Sequence, residues 1–527
     1  MEKSALSRTG SAQVQEYSAP ATPLRVSRTT SKLSRTWSKG HLPVLDNKLL
    51  LVNRSLDRIG MGKYGWYIFF LCGYGYALDL MWAQAFSLIA SSAQQEFGVS
   101  DDEFGNIFTA FNTGLTVGAF TWGLLVDVVG RKWAFNFTVL IASVFGLVLG
   151  AAPNWNTLCA FGAFTGFGIG GNIPIDASIV LEFIPQNRRY LLAALSVFQP
   201  LGVVVFSLIA WGLIPSFSCG SGLPSCSQVA SGSSCCSKRS NMGWRYSVYT
   251  LGGITLLCFF LRFVLFDFQE SPKYLLSKGR DEEAVAVVRQ IAAINGTTSP
   301  LTIEDLQAVQ GKEDNAANQA NASRGAHLKG FFADWQMARL TLFTWLTYIF
   351  DYAAFSIAGN FLPTILRRKG ADVGQSIATT YRNYIIIYAP GIVGVLLGAV
   401  AIQVPKFGRK WVMTFSATLM GVSLFLFVVI SSPAANVGFN MMEYFFQSMF
   451  NAVLYGWTPE AFPSSFRGSA CGVASTWGRL ASIIAPIIAT RLMTTSVNGV
   501  LYLAGGAALL SAASTTFLTE TSRRDAM

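Results

Sequence analysis

The chain has 527 residues, of which 13% are charged and 52% hydrophobic, with 40 Phe, 13 Trp and 49 Gly and a mean hydropathy of +0.42. This composition excludes a soluble enzyme, which would carry charges on the outer face of nearly every helix. The formal net charge of +11 does not point to nucleic acid, because the basic residues are scattered over a tail and short turns and form no stripe.

Residues 1–63 hold eleven Lys/Arg against four Asp/Glu, are rich in Ser and Thr, and lack an apolar run; they read as a disordered tail. The first long apolar segment begins near Tyr64. It is too long for a cleaved signal and is expected to insert and stay. Crossing ~30 Å of hydrocarbon takes ~20 apolar residues. Twelve segments meet that demand, at about 64–92, 104–126, 133–152, 157–184, 190–214, 246–267, 338–366, 375–403, 410–431, 435–459, 468–491 and 498–518. Residues 104–126, 190–237 and 411–442 contain no charge at all.

An even number of spans puts both termini on one side. The positive-inside rule makes that side cytosolic, with the tail, Arg131/Lys132, Arg188/Arg189, Lys406/Arg409/Lys410 and Arg467. Glu96, Asp101, Asp102 and Glu103 then lie outside, and one loop, Arg367-Arg368-Lys369, conflicts with the rule. The outer loop 215–245 carries Cys219, Cys226, Cys235 and Cys236. An oxidising exterior favours disulfides there, with three pairings open. The sequons at Asn53, Asn295 and Asn321 fall on the cytosolic side and are expected to be unused. The plasma membrane is the expected location.

The polar stretch 268–337 is a central linker. Its segment 281–294 has apolar residues at helical spacing and is expected to lie against the cytosolic surface, while 311–325 reads as a tether. The domains are thus a tail (1–63), a first bundle (64–267), the linker (268–337), a second bundle (338–519) and a short cytosolic tail (520–527).

A duplication ties the two bundles together. Gly130-Arg131-Lys132 and Gly408-Arg409-Lys410 are separated by 278 residues, and so are Glu182/Pro185/Arg189 and Glu460/Pro463/Arg467. Glu270-Ser271 and Glu520-Thr521 are 250 apart, the shortfall matching the Cys-rich insertion in the first half. Two six-span halves of common ancestry imply a substrate site between them near the midplane. At the cytosolic turns, Asp127 and Arg131 are expected to form a charge-assisted network with a neighbouring helix end, and Glu182 with Arg189 and Glu460 with Arg467 to do the same, ion pairs that close the inner face and break when it opens; the alternative is that they only orient helices during insertion.

Ionisable residues inside spans are costly and default to functional hypotheses. Asp79 falls mid-span one and Asp351 mid-span seven, equivalent helices of the two halves, so both are expected to face one cavity. Desolvation favours the protonated form of a carboxylate, which suits proton loading. Both histidines, His41 and His327, lie in polar segments, so a carboxylate has to carry any coupled proton. Asp176 and Asn172 in span four, and Glu443 in span ten, are further candidates for proton coupling or substrate binding. Gln84, Asn112, Asn360 and Asn451 suit a polar ligand, and Arg382 and Arg479 suit an anionic one. The glycine runs 166–171 and 391–398 read as close-packing surfaces. The sequence offers no phosphate-binding loop, metal cluster or nucleophile constellation, so neither a metal nor another cofactor is expected.

The segment Gly123-Leu-Leu-Val-Asp127-Val-Val-Gly130-Arg131-Lys132 resembles the signature of the major facilitator superfamily. Glu270-Ser-Pro-Lys-Tyr-Leu275, Thr519-Glu-Thr521 and Tyr455-Gly-Trp-Thr-Pro-Glu460-Ala-Phe-Pro463 resemble elements of its sugar-porter branch. Gly166-Phe-Gly-Ile-Gly-Gly-Asn172-Ile-Pro-Ile-Asp176 is more similar to span four of phosphate permeases and of synaptic-vesicle-glycoprotein or organic-ion relatives. The resemblance covers about residues 60–522. It implies an all-α membrane protein of twelve transmembrane helices in two pseudo-symmetric six-helix bundles, and proton-coupled relatives place an Asp where Asp79 stands. The chain departs from sugar porters around Gly162, where an Arg is replaced, at Ala401 and Pro405, and in lacking paired glutamines in span seven. The expectation is a proton-coupled symporter of a small polar or anionic organic solute, working by alternating access as a monomer in the lipid bilayer, with no nucleic acid partner. A sugar or polyol porter and a non-transporting solute receptor are the rivals.

Overall fold

The computed structural model describes residues 44–518 apart from 186–187, 189–190, 221, 231–232, 266–268, 300, 311–330, 333, 373, 403, 405–407, 430–431 and 463–466. Twelve spans cross in two bundles. The first bundle holds span one (Lys63–Phe97), span two (Asn106–Val129), span three (Arg131–Leu149), span four (Trp155–Ile169 and Asn172–Phe183), span five (Leu195–Phe217) and span six (Gly243–Leu265). The second holds span seven (Trp335–Asp372), span eight (Ile377–Tyr388 and Pro390–Ala401), span nine (Gly408–Val429), span ten (Pro433–Ala461), span eleven (Arg467–Thr495) and span twelve (Val497–Thr515). Among the described residues, seven of these helices are long and apolar enough to cross a membrane on length and composition alone. Large side chains such as Phe70, Phe120, Trp133, Trp411 and Ile484 remain exposed on the spans, the surface that lipid covers in a membrane protein.

The duplicated Gly-Arg-Lys turns have a backbone cause. Gly130 has φ 99° and Gly408 φ 61°, a region that a side chain makes costly. A chiral residue at either position would obstruct the tight reversal from span two to three, or from eight to nine. Span four is broken at Gly170–Gly171 rather than continuous over 157–184. The glycines there serve packing, since a Cβ on Gly166 or Gly170 would lie 2.4 or 2.1 Å from carbonyl oxygens of span two.

The tail read as disordered is helical in part. Val44–Ile59 forms an amphipathic helix whose Val52 and Leu56 bury against Ala284, Val285 and Val288 of the linker helix Asp281–Asn295. Its consecutive apolar stretch, Leu49–Val52, is short and flanked by Lys48 and Arg54, so it escapes a search for runs long enough to span a bilayer. Residues 1–43, the tether 311–325 and the terminus 520–527 lie outside the described residues.

The linker helices are fastened to the first bundle. Lys48 bridges to Asp281, Asn295 Oδ1 accepts from the Tyr64 amide at 2.9 Å, and Glu270 accepts from the amides of Arg131 and Lys132 at 3.0 and 3.2 Å. At the opposite end, here the disulfide face, Cys219 is bonded to Cys236 and Cys226 to Cys235. That stapled loop grips the end of span one, with Ser225 donating to the Glu96 carbonyl and Gln228 to that of Gly98. Beneath it, Arg245 and Glu96 form a 2.5 Å ion pair, 1% and 5% exposed. Arg245 also stacks on Trp244, whose indole donates to Glu96.

Candidate functional site

A cavity of about 90 Å³ lies where spans one, two, four, five, seven, eight, ten and eleven converge, room for several waters. Asp79, Gln84 and Asn112 line it from the first bundle, and Asp351, Asn360 and Asn451 from the second. Arg479 lines it too, as do residues that sequence reading passed over, namely Gln199, Ser356, Tyr352, Tyr388, Tyr444 and Tyr455. Tyrosines read as ordinary core in an apolar helix, so no sequence signal distinguishes these four.

The charged groups are poorly paired within the protein. Asp79 is 7% exposed and its Oδ1 has no protein hydrogen-bond partner. Asp351 is fully buried, with Oδ1 accepting from Gln447 at 3.1 Å and Oδ2 without a partner. Among the described residues, Arg479 reaches the Leu115 carbonyl at 3.5 Å, and its Nε has no partner. Its charge acts on Asp79 and Tyr352. A buried charge demands a counter-charge or protonation. With both carboxylates ionised the three groups sum to −1, which one proton neutralises.

Three expected site residues stand outside the cavity wall. Asn172 and Asp176 are buried behind span one, where a Cβ on Gly75 would come within 1.8 Å of Asp176 Oδ2. Glu443 is buried beside Tyr388 and Tyr444, one layer behind the wall. Arg382 is exposed on span eight and does not reach the cavity.

At the linker face the described residues form one ion pair in each half. Glu182 pairs with Arg131 at 3.2 Å and Glu460 with Arg409 at 2.9 Å. The partners are 51 residues apart in both halves, so the repeat conserves the pair itself. Each tethers the turn after the second span of a bundle to the end of its fourth. The pairs therefore lie within bundles and do not bridge the cleft. Arg189 and the side chains of Asp127 and Arg467 lie outside the described residues.

Most of the described side-chain hydrogen bonds between the bundles lie toward the disulfide face. Arg368 grips Asp101 with two hydrogen bonds at 2.7 and 3.3 Å, Arg367 donates to Ser92 Oγ at 3.0 Å, and Tyr381 donates to the Leu88 carbonyl at 2.8 Å. Ser87 and Ser91 join Gly359 and Thr364 at 2.6 and 3.0 Å. The two arginines that violate the charge rule are thus cross-bundle fasteners. Partial burial pushes the Asp101 carboxyl up, but hydrogen bonds from Arg368 and Gln94 and the guanidinium charge outweigh it and hold it below its ordinary value.

The family model described as sugar (and other) transporter matches residues 60–526. The chain is 38% identical to MFS siderochrome iron transporter 1 of Ceriporiopsis subvermispora over 89% of its own length and 90% of that protein's. It is 28% identical to the niacin transporter NiaP of Acinetobacter baylyi, over 84% and 90%. The xylose transporter XylE from E. coli, in a partially occluded inward-open conformation, superposes with a TM-score of 0.64 at 16% identity, over 87% of this chain and 98% of that one. A likeness at that identity establishes the fold alone.

Proposed function

The chain belongs to the family of sugar (and other) transporters of the major facilitator superfamily, integral membrane transporters and not enzymes, and from that premise we propose proton-coupled symport of a small organic anion by alternating access. The supporting observation is the placement of Asp79, Asp351 and Arg479 on one buried cavity between the bundles. Arg479 offers the solute a guanidinium with an unsatisfied donor, suited to a carboxylate. When the anion takes Arg479 from Asp79, that carboxylate loses its counter-charge and takes a proton. Solute and proton then load together because an uncompensated charge in the cavity is expensive. The aromatic walls supplied by Phe111, Phe355 and four tyrosines favour a planar, partly apolar solute.

In this reading the disulfide face is extracellular, both termini are cytosolic, and the plasma membrane is the site of action of a monomer. The bundles span 64–267 and 338–519. Neutral donors from Gln84, Asn112, Gln199 and Asn360 also suit hydroxyl-rich solutes, which keeps a sugar or polyol porter as the second reading.

The test is uptake into proteoliposomes under an inward proton gradient, with nicotinate, short aliphatic carboxylates and xylose as probes. The anion reading expects acid-stimulated uptake of a carboxylate. Arg479→Gln should lower it at least tenfold, and Asp79→Asn should abolish its pH dependence while leaving counterflow. Uptake of xylose alone sinks the anion reading. Binding of a probe without flux sinks transport.

A further inference from the structure

Span ten carries a polar file that the cavity does not account for. Asn436, Asn440, Glu443, Gln447 and Asn451 follow one another at intervals of 4, 3, 4 and 4 residues. At 3.6 residues per turn they fall within an arc of about 80° and extend for about 22 Å. The first four are 6%, 1%, 6% and 1% exposed. Asn436 lies one turn from the start of the span, at the disulfide face, and Asn451 lines the cavity.

Such a stripe is costly in a membrane helix, and pairing consumes only part of it: the Asn440 side-chain amide donates to the Asn436 backbone carbonyl at 2.6 Å. Among the described residues, the side-chain oxygens of Asn436, Asn440, Gln447 and Asn451 have no hydrogen-bond partner, whereas buried polar atoms are ordinarily satisfied. Four unsatisfied acceptors in one file need donors from outside the chain, and water is the donor that fits between packed helices. At the lower end Gln447 donates to Asp351 Oδ1 at 3.1 Å. Midway stands Glu443, faced by the titratable side chains Tyr388 and Tyr444. Asp351 is in turn faced by Tyr348, Tyr352 and Tyr455.

We propose that this file is a proton-access route, holding water from the disulfide face inward and using Glu443 as the relay to Asp351. The route runs inside the second bundle and bypasses the fasteners that close the cavity. A proton arriving on water bonds to the Glu443 carboxylate, and Glu443 then yields a proton to the next water, which passes it to Asp351. Amide side chains orient the waters and exchange no proton themselves.

The inference rests on the proton-coupled reading above, but its test involves no solute, so the two fail separately. The full-length chain in lipid is followed by infrared spectroscopy during exchange into D2O. The carboxylic acid band of Glu443 is identified by its loss in Glu443→Gln. Asn436→Leu/Asn440→Leu is expected to slow deuteration of that band at least tenfold, while Gln447→Leu leaves it within about twofold. Asn440→Leu alone serves if the double variant does not purify, and Asn440→Ser should restore the rate. Equal rates in all variants overturn the proposal, as does slowing caused by Gln447→Leu alone, which places the supply in the cavity.

Discussion

Replacing Arg367 and Arg368 with Gln and Tyr381 with Phe removes three fasteners between the bundles. The Arg368–Asp101 pair is 39% and 45% exposed, so solvent screening limits it to about 0.2–1 kcal/mol. The Arg367–Ser92 bond is partly buried with a charged donor and contributes about 1.5–3 kcal/mol. The buried Tyr381–Leu88 bond adds about 0.5–1.5 kcal/mol. Neighbouring contacts do not add fully, so the lower end, about 2 kcal/mol, is the working figure. It shifts the balance between a sealed and an open disulfide face about 30-fold. Spin labels at the exposed positions Ser100 and Ala378, read by pulsed dipolar spectroscopy, should show a new long-distance population in the triple variant. Arg409→Gln, whose partner Glu460 lies in the same bundle, should not. An unchanged distance distribution in the triple variant refutes the assignment. The sign with pH is fixed as well. Because Asp101 is held below its ordinary value of 3.8, its pairing contributes in full above that value and is lost only as pH falls further. Mild acidification should leave the seal intact.

Glu96→Gln leaves the Arg245 guanidinium buried without its counter-charge, at a cost of about 3–5 kcal/mol. A clear drop in melting temperature in detergent is expected, with recovery when Arg245→Met is added; an unchanged melt counts against the pair's role. Gly75→Ala forces a Cβ to 1.8 Å from Asp176 and should destabilise by about 1–3 kcal/mol. Adding Asp176→Ala should relieve most of that loss, and failure to do so shows that the contact is not the cause. Cys219→Ser/Cys236→Ser opens a 17-residue link, about 3 kcal/mol by loop entropy. Limited proteolysis between residues 219 and 236 should become faster, and unaltered cleavage would mean the loop is held by its hydrogen bonds alone.

The sequence already disclosed much of this architecture, because a bilayer imposes length and apolarity on every span and a duplication leaves a register. Gly130 and Gly408 are legible for the same reason, since a turn needing positive φ tolerates little else. Asp79 and Asp351 stand out because a carboxylate in an apolar helix has few bland explanations. What stayed hidden depends on which faces meet. The pairing of Glu182 with Arg131 and of Glu460 with Arg409 is set by where the turns converge in space, 51 residues apart in sequence. Asn172, Asp176 and Glu443 have the right chemistry but are rotated away from the cavity, and rotation about a helix axis is weakly specified when nearly all its neighbours are apolar. The helix at 44–59 escaped because its apolar stretch is short and bracketed by charges, and its partner surface is far along the chain, Lys48 meeting Asp281 across 233 residues.

The first bundle is braced at both ends, by a disulfide-stapled loop on one face and by linker helices stitched to Tyr64, Arg131 and Lys132 on the other. Of the attachments described, none comparable reinforces the second bundle. In the proposed alternating-access cycle this asymmetry makes the first bundle the frame, against which the half carrying Asp351, Arg479 and the span-ten file would swing. A binder raised against the stapled loop would ride on the frame and report little of the stroke, whereas one gripping the loop between spans seven and eight would feel all of it.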